Sequence, residues 1–217
     1  MEKAYEEIRN GCNISIYHDD GIGGGPDEWK DEGLFLVGFH RDFTVDRESY
    51  TQELVASLFD KNRYEDGSKN LEAVEVAKQY NVFPLEAYIH SGVVLALQNE
   101  GNFPDRQWDV SLIGAVFISK KEAKTKMKAR KLALTLIKTW NDYLSGNVYG
   151  FQVEDNDGND VDSCWGFYGD YEKSGILDEA RSIADYHAKK ERAKHEKKLR
   201  AMILHKVSLD KREESTY

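Results

Sequence analysis

The stretch “NVYGFQVEDNDGNDVDSCWGFYG”, residues 147–169, contains a clear signal for two paired strands. Two runs rich in Val, Phe, Tyr and Trp, residues 147–155 and 163–169, lie on either side of “NDGND”. Asp-Gly between two apolar runs is a strong β-hairpin signal, because glycine readily adopts the positive φ of a tight turn. The stretch therefore predicts two neighbouring antiparallel strands.

Further strands are indicated by short runs rich in Ile, Val, Phe and Tyr, most of them bounded by turn residues. These runs are residues 13–18, 34–40, 84–97 and 110–119. The third run is long enough for two strands, and “HSG” inside it predicts a turn at His90 and Ser91. Most of the predicted strands are thus neighbours along the chain.

Helical segments lie between the strands. Apolar residues recur at helical spacing over residues 47–62 and 70–81. Ser119, three residues before Glu122, predicts a capping box that opens a third helix, which runs to about Leu144.

A last long helix is expected to begin after Ser174 and to extend toward Val207. Strands grouped in this way with helices between and after them predict an α+β fold. We expect a mainly antiparallel sheet of about five to seven strands, packed by helices on one face. We also expect a core domain over residues 1–172 and a helical C-terminal extension over residues 173–217, basic in its second half.

Composition narrows the class of protein. The 217 residues are 40% hydrophobic and carry a formal net charge of −9, which disfavours non-specific binding to nucleic acid or anionic membranes. Cys12 and Cys164 lie far apart and predict two buried free thiols, not a disulfide framework. The first residues lack the apolar core of a signal peptide, and no run is long enough to span a membrane. We therefore expect a soluble protein of a reducing cytoplasm.

A glycine-rich segment, “YHDDGIGGGPDEWKDEG” at residues 17–33, suggests two kinds of ligand site. The dinucleotide fingerprint fails because Pro26 occupies its third glycine position and no helical pattern follows. A calcium loop fails because the twelfth position, counted from Asp19, is Lys30. The spacing therefore predicts a connecting loop with solvated acidic residues.

Histidines and aspartates recur at the ends of the predicted strands. If those ends converge, they form a divalent-metal site of the kind that activates water in nucleases and phosphoesterases. The candidate metal ligands are His18, Asp19, His40, His90 and Asp109, with Asp155 as a sixth. The alternative is that polar side chains lie there only because strand ends meet solvent. No other cofactor is expected.

Aromatic residues suggest a second kind of site, because Trp and Tyr often anchor protein–protein interfaces. The candidate partner-binding residues of this kind are Trp29, Trp108, Trp165 and Tyr168. The alternative for the aromatic residues of the hairpin is a buried sheet face. The many carboxylates of residues 154–162 disfavour stacking of nucleic-acid bases on this hairpin.

The end of the chain is basic. From Tyr186 onward, ten Lys and Arg stand against five Asp and Glu. Such a helix suits binding to nucleic acid, to an acidic partner or to the acidic part of its own chain. The alternative is a solvated helix end, where positive charge is favourable. The candidate binding residues are Lys190, Arg192, Lys194, Lys197 and Lys198.

Four sequence blocks, “PLEAYIHSGVVLAL”, “WDVSLIG”, “YLSGNVYG” and “DSCWGFYG”, occur in this order along the chain. They resemble the blocks of a family of small bacteriophage-encoded proteins of unassigned function. The similarity covers roughly residues 14–212 and is most specific over residues 143–169. The resemblance implies a phage origin and action in the bacterial cytoplasm, and it supplies no catalytic residues.

These observations predict a non-enzymatic phage accessory protein that binds a host or phage macromolecule during infection. A host or phage protein is the expected partner, and an inhibitor of a host defence, including an acidic mimic of DNA, is one form of this hypothesis. One alternative is a metal-dependent nuclease or phosphoesterase that uses the strand-end His and Asp residues. Another is a nucleic-acid-binding module that uses the basic C-terminal helix. No membrane contact is expected.

Overall fold

The structure, a computed structural model, describes residues 1–21, 25–27, 33–104 and 106–204. These residues include nine strands and five α-helices. The strands are β1 (Lys3–Arg9), β2 (Cys12–His18), β3 (Leu34–His40), β4 (Phe43–Val45), β5 (Tyr80–Ile89), β6 (Val93–Leu97), β7 (Val110–Ser119), β8 (Val148–Asp155) and β9 (Asp160–Tyr168). The helices are α1 (Gln52–Phe59), α2 (Leu71–Gln79), α3 (Arg106–Asp109), α4 (Lys126–Leu144) and α5 (Ile176–Leu204).

The strands form two antiparallel sheets, which confirms the predicted α+β class. The four-stranded sheet has the order β1-β2-β8-β9, and the five-stranded sheet has the order β4-β3-β7-β5-β6. The sequence predicted one sheet, whereas the structure distributes the strands over two. The first compact unit is residues 1–20 with 148–217, and the second is residues 21–147. The predicted domain boundary after residue 172 stays a prediction.

The hairpin predicted from residues 147–169 is confirmed by the antiparallel pairing of β8 with β9. Gly158 in its turn has a φ of 78°. The Asn159 amide group donates to the Asp155 carboxylate at 2.9 Å. This hydrogen bond lowers the pKa of Asp155 from its usual value. Asp155 therefore has a structural role in closing the turn.

The core of the first unit lies between the four-stranded sheet and α5. Alternate apolar side chains of β2 and β8 are buried there, namely Ile14, Ile16, Phe151 and Val153. The first half of α5 packs on them with Ile176, Ala180 and Ala184. The expected long C-terminal helix is therefore present, and its first half belongs to a folded core.

β1 is an edge strand with the charged sequence “KAYEEIR”, so no apolar alternation indicates it. Ion pairs connect it to α5. Glu7 accepts two hydrogen bonds from Arg181, at 2.7 and 2.8 Å, and Arg9 donates to Asp185 at 2.7 Å. The Arg181 guanidinium lowers the pKa of Glu7 to about 2.

Both cysteines are free, as predicted. Cys12 is buried in the core of the first unit, and this burial raises the pKa of its thiol. Cys164 lies on the edge strand β9 and is only partly buried. The prediction of two buried thiols therefore holds fully for Cys12 alone.

Helices cover both faces of the five-stranded sheet, where the sequence predicted one. α4 packs on one face, against a core that includes Val116 and Trp140. The other face buries Phe117 together with Val55 of α1. The central strand β7 is therefore buried on both sides, which explains its nearly continuous apolar sequence.

The predicted start of the third helix is wrong. Ser119 is the last residue of β7, and its hydroxyl accepts a hydrogen bond from the Lys121 amide at 3.2 Å. α4 begins at Lys126, because the hydroxyl of Thr125 caps the helix by accepting from the Lys128 amide at 3.3 Å. A Ser-x-x-Glu pattern closes a turn here, and residues 120–125 lie outside the helix.

Candidate functional site

The densest positive charge in the described part of the second unit lies between the end of β7 and the first turns of α4. Residues 120–131 hold seven Lys and Arg and a single acidic residue, Glu122. All seven basic side chains are exposed. This concentration occurs in a chain whose net charge is −9.

The ends of secondary-structure elements meet around one open cavity of about 650 Å³, which three of these side chains line. The Ser119 amide donates to the Gly33 carbonyl at 2.7 Å, and the Lys120 amide donates to the Gln79 carbonyl at 2.8 Å. These bonds join the end of β7 to the residue before β3 and to the end of α2. Four lysines line the cavity, namely Lys78, Lys120, Lys121 and Lys124. We call these four, together with Lys126 and Lys128 of α4, the lysine surface.

Two ammonium groups of the lysine surface are oriented by backbone carbonyls. Lys120 Nζ donates to the Ala77 carbonyl at 2.7 Å. Lys128 Nζ donates to the Glu122 carbonyl at 2.8 Å. Neither contact neutralises the positive charge, so both groups remain able to attract an anion.

Carboxylates neutralise little of the lysine surface. Lys78 pairs with Glu75 at 2.6 Å, and both side chains are well exposed. Lys121, Lys124 and Lys126 form no ion pair with any residue that the structure describes. Among the described residues, five of the six lysines of the lysine surface therefore have no carboxylate partner.

The helix itself adds to this positive potential. α4 has 19 residues, and its first turn contains no acidic residue. The unpaired amides at a helix start carry a partial positive charge, so cations such as Lys126 and Lys128 each cost about 0.3–1 kcal/mol there. The same arrangement favours an anionic ligand, because side chains and helix end act in the same direction.

The predicted metal ligands of the first unit have other contacts. The His18 ring lies 4.7 Å from the Tyr149 ring, measured between centroids. The Asp19 amide donates to the Val148 carbonyl at 2.8 Å. Asp155 closes the β8–β9 turn. These contacts stabilise the ends of β2 and β8.

The predicted ligands of the second unit form two pairs. The Nδ1 atom of His40 lies 3.7 Å from the Asp42 carboxylate. The Nδ1 atom of His90 lies 3.3 Å from the Asp109 carboxylate. The structure thus brings His90 and Asp109 together, and the predicted turn at His90 and Ser91 is confirmed.

The metal-dependent hydrolase hypothesis requires at least three of the six predicted side chains around one ion. Within residues 1–21, 25–27, 33–104 and 106–204, no group of three or more His, Cys, Asp and Glu is placed to hold a metal. His90 with Asp109 supplies two groups. A divalent-metal site stays a prediction.

The predicted partner-binding aromatics differ in exposure. Trp108 of α3 exposes 81% of its surface, whereas Trp165 of β9 exposes 38%. Tyr168 is half-buried at the end of β9. Trp29 lies outside the described residues. Trp108 is therefore the predicted aromatic anchor that the structure leaves most accessible.

The second half of α5 leaves the core of the first unit after His187, whose Nδ1 lies 3.6 Å from Cys12 Sγ. The five predicted binding residues beyond it are all exposed, namely Lys190, Arg192, Lys194, Lys197 and Lys198. Lys194 pairs with Glu191 at 3.3 Å. The other four form no ion pair with a described residue.

The glycine-rich segment at residues 17–33 is described only at residues 17–21, 25–27 and 33. The predicted connecting loop therefore lies largely outside the described residues, and its solvated acidic side chains stay a prediction.

Sequence reasoning missed the lysine surface, although “KKEAKTKMKARK” at residues 120–131 carried the signal. The capping-box interpretation placed this run on a helix, where lysines would spread around the surface. The turn at residues 120–125 instead gathers Lys120, Lys121 and Lys124 at one cavity. Lys78 reaches the same cavity from a distant part of the chain.

Comparison with known proteins found no matching family model, no matching curated protein and no matching solved structure. The resemblance to bacteriophage-encoded proteins therefore stays a prediction from the four sequence blocks. Among the described residues, no helix combines the length and the apolar composition needed to cross a membrane.

Proposed function

We propose that the protein binds nucleic acid through the lysine surface, by contacts to phosphate groups and without sequence preference. The observation that carries this proposal is the presence of Lys126 and Lys128 in the first turn of α4, beside a cavity lined by four more lysines. Positive charge at this position reduces helix stability. A polyanionic ligand converts the same charge into binding free energy through release of its counterions.

The number and chemistry of the cations favour a polymer over one small anion. Six lysines surround the cavity and the adjoining helix turn. An ammonium group on a flexible stem is a point charge that contacts phosphate oxygens without reading base edges. Several phosphates in succession can therefore be held at once, with little selection among sequences.

The net charge of −9 does not prevent this binding. At physiological salt, exposed charges further apart than about 8 Å are largely screened from one another. A ligand at the lysine surface therefore responds mainly to its six lysines and to Glu122, the one carboxylate among the described residues that line the cavity. The local positive charge of the lysine surface therefore matters more for binding than the negative net charge of the whole chain.

The wider hypothesis of a phage accessory protein that binds a macromolecule in the bacterial cytoplasm is compatible with this proposal. It rests on the sequence resemblance. The proposed ligand is nucleic acid, whereas the sequence predicted a host or phage protein. The proposed binding residues are those of the lysine surface, whereas the sequence predicted those of the basic half of α5.

Fluorescence anisotropy with a labelled oligonucleotide at low salt tests the proposal. We expect the combined variant Lys120→Gln, Lys121→Gln and Lys124→Gln to bind at least about 10-fold more weakly than the natural chain. The matched control replaces three exposed cations of α5, Lys190, Arg192 and Lys197, by Gln.

The control variant is expected to bind within about 2-fold of the natural chain. Loss of binding in the control but not in the lysine-surface variant would assign the interface to α5 and contradict the proposal. Absence of binding by the natural chain at low salt would remove it altogether.

A second candidate function is binding of a protein partner at Trp108, a residue that is 81% exposed. The helix that carries it is held by Arg106, which donates at 2.7 Å to Glu86, a residue only 3% exposed. The indole therefore stands on a fixed support, as interface anchors commonly do.

Capture from a bacterial lysate separates this candidate from non-specific adsorption. We expect a specific partner to be retained by the natural chain and by a Trp165→Ala variant, but not by Trp108→Ala. A partner that is retained equally by both variants would contradict a role for Trp108.

A further inference from the structure

A cluster of four aromatic rings lies on the face of the five-stranded sheet that α1 and α2 cover. Phe35 and Phe117 stack with ring centres 4.8 Å apart. Tyr50 and Tyr80 meet Phe35 edge-on, at 5.0 and 5.5 Å between ring centres. The rings fix one another, because edge-to-face contacts constrain both position and tilt. Tyr50 and Tyr80 are half-buried.

A cation is part of the same cluster. The guanidinium carbon of Arg47 lies 4.1 Å from the centre of the Phe35 ring, which is a close cation–π contact. Phe35 itself is only 2% exposed. A ligand at this place would therefore contact mainly the guanidinium group and the tyrosine side chains, and Phe35 much less.

These groups line an open cavity of about 350 Å³. The described residues that line it are Phe35, Arg47, Glu48, Ser49, Tyr50 and Tyr80. Tyr80 also lines the lysine cavity, so the aromatic cavity and the lysine cavity share one wall residue. A cavity lined by aromatic rings and one guanidinium group thus adjoins the cavity lined by lysines.

The geometry points to single-stranded nucleic acid as the ligand, with one base stacked in the aromatic cavity and its neighbouring phosphates on the lysine surface. This inference rests on the proposed function and adds the class of nucleic acid. Bases of a single strand expose their flat faces and stack on aromatic rings and on guanidinium groups. A volume of about 350 Å³ is within the usual range of about 300–1,000 Å³ for small-ligand sites.

A duplex does not satisfy both cavities. Its bases are stacked on one another and paired, so reaching the aromatic cavity requires that a base leave the stack. Duplex DNA can contact the lysine surface through its phosphates alone. The aromatic cavity therefore favours a single strand over a duplex of the same sequence.

The test compares four ligands by competition against a labelled single-stranded 12-mer. They are the unlabelled single strand, its duplex, ATP and inorganic polyphosphate, which has no base. In the variant Tyr50→Leu we expect single-strand affinity to fall about 5- to 100-fold, the usual effect of one lost stacking contact. Affinity for the duplex and for polyphosphate should change less than about 2-fold.

Two further variants keep the test decisive if Tyr50→Leu perturbs folding. Tyr50→Phe retains the ring and is expected to bind the single strand within about 2-fold of the natural chain. Arg47→Lys retains the charge but removes the planar group, so single-strand affinity should fall while polyphosphate affinity persists. Urea unfolding of each variant identifies losses that come from instability.

The outcomes separate this inference from the proposed function. If Tyr50→Leu and Arg47→Lys weaken no ligand, or all ligands equally, the stacking inference is overturned and the lysine surface stands. Equal affinity for ATP and for the 12-mer would assign the aromatic cavity to a free nucleotide and would also overturn it. If the natural chain binds none of the four ligands at low salt, the proposed function fails with it.

Discussion

Only glycine fits at position 150, because the indole of Trp165 occupies the space that a Cβ would need. The same indole stacks on Tyr17, with ring centres 6.3 Å apart. The sequence blocks “VYGF” and “CWGF” are thus two halves of one packing contact between β8 and β9. The specific motif of this chain has a structural reason that needs no ligand.

The substitution Gly150→Ala tests this contact. The added methyl group would collide with the indole, so we expect a loss of about 1–3 kcal/mol in the free energy of unfolding and a change in tryptophan fluorescence. Gly92→Ala is the matched control, because a Cβ at Gly92 meets nothing within 4 Å. Equal stabilities of the two variants in urea would show that the indole does not pack on Gly150.

Glu7 predicts a pH dependence of stability. Its pKa falls from 4.5 to about 2 in the folded chain because Arg181 donates two hydrogen bonds to it. A lowered pKa contributes stability above the unfolded value of 4.5, and this contribution is lost as the pH falls toward 2. We expect Glu7→Gln to lower the free energy of unfolding by about 1–2 kcal/mol at pH 7 and by progressively less below pH 5. Urea unfolding at pH 7, 4 and 3 measures the difference in free energy of unfolding between the natural chain and the variant. A difference that does not change with pH would contradict the stabilising role of the Glu7–Arg181 pair.

At the scale of elements, Asn141 of α4 protects an open sheet edge. Its carboxamide accepts from the Leu95 amide at 2.8 Å and donates to the Leu95 carbonyl at 2.9 Å. β6 is the last strand of the five-stranded sheet, so these two backbone groups have no strand partner. The side chain therefore imitates one residue of an adjoining strand, which prevents pairing with another chain at this point.

The substitution Asn141→Ala should lower the free energy of unfolding by about 1–3 kcal/mol, because it leaves both backbone groups of Leu95 without a partner. Asn141→Asp keeps an acceptor but removes the donor, so its effect should include repulsion of the Leu95 carbonyl. Asn147→Ala, at an exposed position, is the control. Amide hydrogen exchange at Leu95 reports the contact directly, and unchanged exchange in Asn141→Ala would contradict it.

The start of α4 predicts opposite effects on stability and binding. Lys126→Glu places a carboxylate where the helix dipole favours it, so we expect a gain of about 0.3–1 kcal/mol in the free energy of unfolding. The same change should weaken binding to nucleic acid several-fold. Thermal unfolding and anisotropy on one sample test both parts. A variant that loses stability would contradict the unfavourable interaction of Lys126 with the helix dipole. A variant that binds as well as the natural chain would contradict the role of Lys126 in binding.

Single elements were predictable where local patterns suffice. β3 and β7 have the predicted bounds, because continuous apolar runs are typical of strands buried on both faces. β1 was not predictable, because an edge strand with solvent-exposed charges lacks that pattern. The start of α4 was misplaced, because Ser119 and Glu122 satisfy a turn as readily as a helix.

In the whole molecule, the division of the strands into two sheets could not be predicted from the sequence. Alternation of apolar residues shows which face of a strand is buried, but not which strand lies beside it. The β8–β9 pairing is local and was predicted. The pairing of β2 with β8 joins opposite ends of the chain, and no local signal specifies it.

Positive charge is concentrated in two segments of the chain. Residues 120–131 and 189–200 together hold 14 of the 30 Lys and Arg and three of the 39 Asp and Glu. The basic segment of α5 was found from sequence because it is one continuous helix. The lysine surface was not, because Lys78 and the turn after β7 meet only in the folded chain.

The salt dependence of DNA binding measures how many phosphate contacts the lysine surface makes. The affinity for a labelled single strand is measured by anisotropy over a range of NaCl concentrations, for the natural chain and for the Lys120→Gln, Lys121→Gln, Lys124→Gln variant. We predict a steep decline with salt for the natural chain, and a log–log slope that is shallower by about 2 in the variant, since each lost phosphate contact contributes about 0.7 for a single strand. A natural chain whose affinity does not depend on salt, or a variant with an unchanged slope, would contradict the assignment of the lysine surface to nucleic acid.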